Sequence, residues 1–130
     1  MQLTKHILVV EDNHIASKMQ KIILEGMGFE VDCAMTGEEG VDLALNKKYD
    51  LIIMDIGLPG IDGIESTIKI RMDQSGINNT LTPIIAVTAN EEPLKREQCL
   101  EAGMDDVFSK PFTPETAREL VARFFPEAAA

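Results

Sequence analysis

Three apolar runs, Ile7-Leu8-Val9-Val10, Leu51-Ile52-Ile53-Met54 and Ile84-Ile85-Ala86-Val87, narrow the folds open to this chain more than any other feature of it. None alternates apolar with polar residues, so each requires cover on both faces, as the strands of a parallel sheet have. Val31 to Ala34 and Val107 to Ser109 are shorter candidates for the same sheet. Between the runs, apolar residues return at helical spacing. Ile15, Met19, Ile22 and Ile23 fall at i, i+4, i+7 and i+8 and lead to Gly26-Met27-Gly28, which predicts a helix with that stripe turned to the core and a glycine-rich end.

Val41, Ala44 and Leu45 predict a second helix, Ile61, Ile64 and Ile68 a third, and Pro93 to Ala102, closed by Gly103, a fourth. Ala117, Leu120, Val121 and Phe124 form the apolar face of a fifth, with Thr113 as its N-cap and Pro114 in the favoured first position. Five strand–helix units imply an α/β fold: a doubly wound, five-stranded parallel sheet with helices on both faces and right-handed crossovers. The 130 residues suit one domain, residues 1–130, with a core over about 5–125 and a frayed end from Glu127 to Ala130.

Composition removes several classes. The apolar fraction of 45% and charged fraction of 26% are those of a globular chain, not of a disordered or collagen-like one. Apolar runs of about four residues fall far short of the roughly 18 that a membrane helix requires. Cys33 and Cys99 make no CxxC pair and read as reduced, buried, small hydrophobes. A net charge of −10 repels a phosphate backbone, so no direct nucleic-acid binding is expected.

In a doubly wound sheet the ligand site lies at the carboxyl ends of the strands, where strand order reverses. The residues there are Glu11-Asp12 after the first run, Asp55 after the second long run, Thr88-Ala89 after the third, and Lys110-Pro111 after the last strand. Each has an ordinary explanation alone: Asp12 or Asn13 as a helix cap, Thr88 as a strand-end hydroxyl, Lys110 as a solvated charge. Their convergence on one rim argues otherwise. Three ionised carboxylates at close range require a cation or a raised pKa. With oxygen ligands alone, and His14 reading as a surface residue at a helix start, the cation is Mg²⁺ or Mn²⁺ rather than zinc. Because Mg²⁺ engages one or two carboxylates, another is left to act. A carboxylate facing a metal, a hydroxyl and a lysine is equipped to attack phosphorus.

Glu11-Asp12, the segment Met54-Asp55-Ile56-Gly57-Leu58-Pro59-Gly60-Ile61-Asp62-Gly63, Thr88-Ala89, Ala102-Gly103 and Lys110-Pro111-Phe112 resemble, in order and spacing, the signature of two-component response-regulator receiver domains over roughly Lys5 to Phe125. The resemblance implies a flavodoxin-like fold of strand order 2-1-3-4-5 with five helices. It implies that Asp55 is the phospho-acceptor, Asp12 a direct Mg²⁺ ligand, Glu11 a ligand through water and the Gly57 carbonyl the backbone ligand, with Mn²⁺ able to substitute. Thr88 resembles the switch hydroxyl, and Lys110 the lysine that pairs with the phosphoryl group across a cis Lys110–Pro111 bond.

The implied partner is a histidine kinase or a histidine phosphotransfer domain, and the implied state a cytoplasmic monomer or weak dimer without membrane contact of its own. Such a domain is not an enzyme toward other substrates. It catalyses its own phosphorylation and slow dephosphorylation. Slow hydrolysis also fits Gly57 and Asn90, two residues past Asp55 and Thr88, since neither offers a general base. The segment Ile64 to Ile68, Arg71 and the stretch Asp73 to Asn90 resemble receivers of hybrid histidine kinases, which makes the cytoplasmic part of a membrane-bound sensor a possible parent.

Val107 departs from the family pattern, which has an aromatic residue three positions before the lysine. Two other classes fit less well. A phosphatase of the haloacid dehalogenase type requires a general acid two residues past its nucleophile, where Gly57 stands. A flavin-binding module would want aromatic clamps, and the chain has no Trp and one Tyr.

Overall fold

Two-sided strands dictate the architecture, and the computed structural model, which describes residues 4–73, 79, 81–89 and 93–129, has it. Strands β1 (His6–Val10), β2 (Glu30–Ala34), β3 (Leu51–Asp55), β4 (Ile84–Thr88) and β5 (Asp106–Ser109) alternate with helices α1 (His14–Gly26), α2 (Gly37–Asn46), α3 (Gly63–Arg71), α4 (Pro93–Glu101) and α5 (Pro114–Phe124). The sheet is parallel in the order β2-β1-β3-β4-β5, with Val10 opposite both Ala34 and Met54, and Thr88 opposite Ser109. Pro126–Ala129 forms a short helical turn, α6, where a frayed end is expected from Glu127 onward.

The period of two along each strand splits the core in half. Leu8, Val10, Ile52, Met54, Ile84 and Ala86 face one apolar cluster, with Val41, Ala44, Ile70, Cys99 and Met104. Ile7, Val9, Leu51, Ile53, Ile85 and Val87 face the other, with Leu24, Ala117, Leu120 and Val121. Val107 packs against the first cluster and its neighbour Phe108 against the second, so the ring cannot stand in for the side chain at 107. Cys33 and Cys99 are both free thiols, the first half-buried and the second buried.

Two helices bury a different face from the one their apolar stripes suggest. In α1 the buried residues are Ser17, Gln20 and Leu24, while Ile15, Met19 and Ile22 are 77%, 50% and 55% exposed. In α3 they are Gly63, Ser66, Thr67 and Ile70, while Ile68 is exposed. In α3, close approach to the end of β3 is the reason. A Cβ on Gly63 would lie 2.7 Å from Ile56 Cα, and the Thr67 hydroxyl turns back to donate to the Gly63 carbonyl oxygen at 2.8 Å. Small residues let a helix settle on backbone where a stripe of isoleucines would hold it off.

Asn79, which follows α3, is fully buried. Its carbonyl oxygen accepts from Tyr49 N at 2.9 Å and from the Thr82 hydroxyl, and its amide donates to the carbonyl oxygens of Ala44 and Lys47. The Arg71 guanidinium joins the same region to β5 by donating to Thr82 O and Gly103 O and pairing with Asp105 at 3.0 Å. Asn79→Ala strands one buried N–H and two carbonyl groups, so the variant is expected to lose at least about 2 kcal/mol of stability. Urea denaturation checks this, and a midpoint equal to wild type would mean these groups find other partners.

Candidate functional site

The strand ends deliver the acids to one rim. Glu11 continues β1, Asp55 ends β3, and Asp12 begins the turn into α1. Asn13, not Asp12, caps that helix by accepting from Ala16 N at 2.9 Å, which leaves the exposed Asp12 carboxylate available to a ligand. Glu11, Asp12 and Asp55 each offer an oxygen within 4.8 Å of the others. Lys110 follows β5, whose backbone carries it across to β4 by donating from Lys110 N to Thr88 O at 2.8 Å. The Lys110–Pro111 peptide is cis, as the resemblance implies.

Lys110 Nζ lies 3.1 Å from Asp55 Oδ2 and 3.1 Å from Glu11 Oε1. The contact to Asp55 is a hydrogen bond. That to Glu11, a residue 1% exposed, is an ion pair, so one ammonium serves both buried carboxylates. Burial raises the Glu11 carboxyl to about 7, and the adjoining Asp55 carboxylate adds to the rise. Burial opposes the Lys110 ammonium, but Glu11 and Asp55 outweigh it and hold its pKa above that of an ordinary lysine. Three carboxylates at this range, with a single ammonium shared between two of them, have the donor chemistry of a site for a hard divalent cation.

The same cleft, about 610 Å³, is lined also by Thr88, Gly57 and Lys95, the last from the first turn of α4. Gly57 N donates to Asp55 Oδ1 at 3.1 Å, fixing the carboxylate from the loop side. A Cβ at 57 would sit 3.8 Å from that oxygen, an ordinary contact, so the open space here is a matter of sequence rather than of backbone. The structure thus brings Glu11, Asp12, Asp55, Gly57, Thr88 and Lys110 to one cleft, while Asn90 lies outside the described residues. The sequence reading missed Lys95. Next to the cleft, Ala16, Met19, Pro111 and Phe112 line an apolar groove between α1 and the β5–α5 loop.

The response regulator receiver domain profile matches residues 7–122, and the chain belongs to that family. It is 40% identical over 117 residues to the transcriptional regulatory protein ResD of Bacillus subtilis (strain 168), an alignment covering 90% of this chain and 45% of that protein. The response regulator ArlR of Staphylococcus aureus matches at 40% over the same length, 90% of this chain and 49% of that one. This chain therefore spans about half the length of these curated relatives. Among solved structures it resembles the receiver domain of sensor histidine kinase PA1611 from Pseudomonas aeruginosa PAO1, which has a magnesium ion coordinated in its active site cleft. That likeness has a TM-score of 0.83 at 36% identity, over 94% of this chain and 98% of that one. It also resembles the chemotaxis protein CheY4 of Vibrio cholerae, with a TM-score of 0.86 at 30% identity over 95% and 100%.

Glu11 generates a prediction on its own. An acid whose pKa is raised on folding keeps its proton where the unfolded chain has lost it, so it takes stability away as pH climbs from 4.5 to about 7. Without divalent metal, wild type should lose stability across that window relative to Glu11→Gln, and millimolar Mg²⁺ should recover it above pH 7. Thermal unfolding of both proteins over the window, with and without Mg²⁺, checks this. Parallel curves would count against the raised pKa.

Proposed function

We propose that Asp55 accepts a phosphoryl group from a histidine-bearing donor, a histidine kinase or a histidine phosphotransfer domain, and that the domain changes conformation in response. The observation that carries this reading is the convergence of the Glu11, Asp12 and Asp55 carboxylates, with Lys110 bridging Glu11 and Asp55, at the sheet's carboxyl edge. Asp12, Asp55 and the Gly57 carbonyl would hold Mg²⁺, with Glu11 acting through water and Mn²⁺ able to substitute. The bound ion would neutralise charge on the phosphoryl oxygens.

Lys110 and Gly57 N–H hold the two oxygens of Asp55 at fixed positions, which orients the carboxylate at the cleft. An Asp55 oxygen bonds to phosphorus as the donor's N–P bond breaks, and the departing imidazole takes a proton from solvent. Thr88, buried at the cleft, would bond a phosphoryl oxygen, and Lys110 would exchange a carboxylate for the phosphoryl group as partner. With no side chain on Gly57 to orient a water, self-hydrolysis is slow.

The exposed stripe of Ile15, Met19 and Ile22 beside the apolar groove supports docking of the donor along α1, since a contiguous apolar patch marks a contact surface. The family profile supports residues 5–125 as the working core of one domain. Free thiols fit a reducing compartment, and we assign the domain to the cytoplasm as a monomer or weak dimer without nucleic-acid contact. Likeness to the PA1611 receiver supports a hybrid histidine kinase as parent, and likeness to ResD and ArlR a transcriptional regulator. The full open reading frame decides between them.

Acetyl phosphate with Mg²⁺ should add about 80 Da to the intact protein, and Asp55→Asn should abolish the adduct. A full adduct on Asp55→Asn, or none on wild type, would sink the assignment. Ile15→Asp together with Met19→Asp should slow transfer from a phosphohistidine donor at least about tenfold while labelling by acetyl phosphate continues at the wild-type rate. Equal losses with both donors would remove α1 from the docking surface. Val107 offers β5 only a short lever. Beryllofluoride with Mg²⁺ should therefore shift amide resonances strongly at Asp12, Asp55, Thr88 and Lys110, but weakly from Val107 through Arg118 outside Ser109 to Phe112. Large shifts across α5 would mean that another element carries the change.

A further inference from the structure

Lys95 stands in the cleft for no reason that α4 itself supplies. It lies in the first turn of the helix, where the aligned peptide dipoles favour an acid and disfavour a cation. No acidic residue occupies that turn to compensate, the positions one turn on, Gln98 and Cys99, carry no carboxylate, and Glu91 and Glu92 lie outside the described residues. Among the described residues no ion pair holds it. Its side chain is half-buried and lines the same cleft as Asp55, Thr88 and Lys110.

Charge balance gives the position a purpose. Glu11, Asp12 and Asp55 carry three negative charges between them when all are ionised, and Lys110 is committed to two of these carboxylates. A divalent cation brings the group to neutrality. Phosphorylation converts the single charge on Asp55 into a group of nearly twice that charge, with three more acceptor oxygens. One further cation is required, and Lys95 is placed to supply it.

We propose that Lys95 is a second phosphoryl-binding lysine: its ammonium pairs with the aspartyl-phosphate oxygens in the cleft and so draws the first turn of α4 toward the site. This inference rests on phosphorylation of Asp55 and adds to it a contact from α4, separate from β5, where Val107 has no ring to move. The differential contact is what lets the modification bias the position of α4, because Lys95 meets a concentrated anion in one state and not in the other. Arg96, the next residue, pairs with Asp106 on β5 at 3.1 Å, so a displaced first turn pulls directly on that ion pair.

Calorimetric titration of wild type, Lys95→Gln and Lys95→Arg, first with Mg²⁺ and then with beryllofluoride in the presence of Mg²⁺, tests this. Loss of the charge should weaken beryllofluoride binding about tenfold, with Lys95→Arg retaining most of the affinity. Removing a positive charge near a cation site should leave Mg²⁺ affinity equal to wild type or slightly higher, whereas a damaged fold would lower both affinities. Beryllofluoride should also move the amide resonances of Lys95 to Gln98 in wild type and not in Lys95→Gln. Equal beryllofluoride affinity in wild type and Lys95→Gln would overturn the role of Lys95 while leaving Asp55 untouched. Absence of beryllofluoride binding in wild type itself would overturn the phospho-acceptor reading, and this inference with it.

Discussion

Electrostatic repulsion among Glu11, Asp12 and Asp55 is the constraint around which the functional end of this domain is organised. Their oxygens lie within 4.8 Å of one another, and two of the three side chains are buried. Such a group is tolerated only because Lys110 bridges two of its members and Glu11 retains affinity for a proton to about pH 7. The arrangement is poised rather than relaxed. Binding a divalent cation would exchange repulsion for attraction in a site partly withdrawn from water.

Holding the acids there is the work of the sheet. The parallel register places the carboxyl ends of β1 and β3 side by side, with Val10 opposite Met54, so the next residue on each strand belongs to the same rim. β5 reaches the site only through β4, and the backbone bond from Lys110 N to Thr88 O ties the lysine to the strand that carries the hydroxyl. Glu11, Asp55 and Thr88 are therefore positioned by strands with two apolar faces. Displacing one would mean slipping a strand whose side chains are committed to two cores.

Elsewhere polar groups do structural work. Asn79 and Arg71 fasten the region after α3 to the turn before β3 and to the loop before β5. Asp106 is shared by Arg96 of α4 and Arg123 of α5, so these two helices meet through one carboxylate on the edge strand. Charge at Lys95 and charge at Arg96 thus act on consecutive residues of one helix, the first facing the cleft and the second facing the sheet edge.

The sequence by itself determined the fold class and the members of the site. Unbroken apolar runs permit only strands covered on both sides, and in such a sheet the residue after each run is delivered to the ligand edge, which is why Glu11, Asp12, Asp55, Thr88 and Lys110 could be named from order alone. Tertiary structure decided what periodicity cannot express. The stripe of Ile15, Met19 and Ile22 marked a helix, but that the face with Ser17, Gln20 and Leu24 is the one that meets the sheet is a fact of packing that periodicity does not carry. Asn79 looked like one polar residue in a polar stretch until the end of α2, the turn before β3 and Thr82 met around it to fill all four of its hydrogen-bonding positions. Lys95 was invisible for the same reason: the cleft it lines is built from strand ends far away in the chain, and only the packing of α4 against them gives its charge a place.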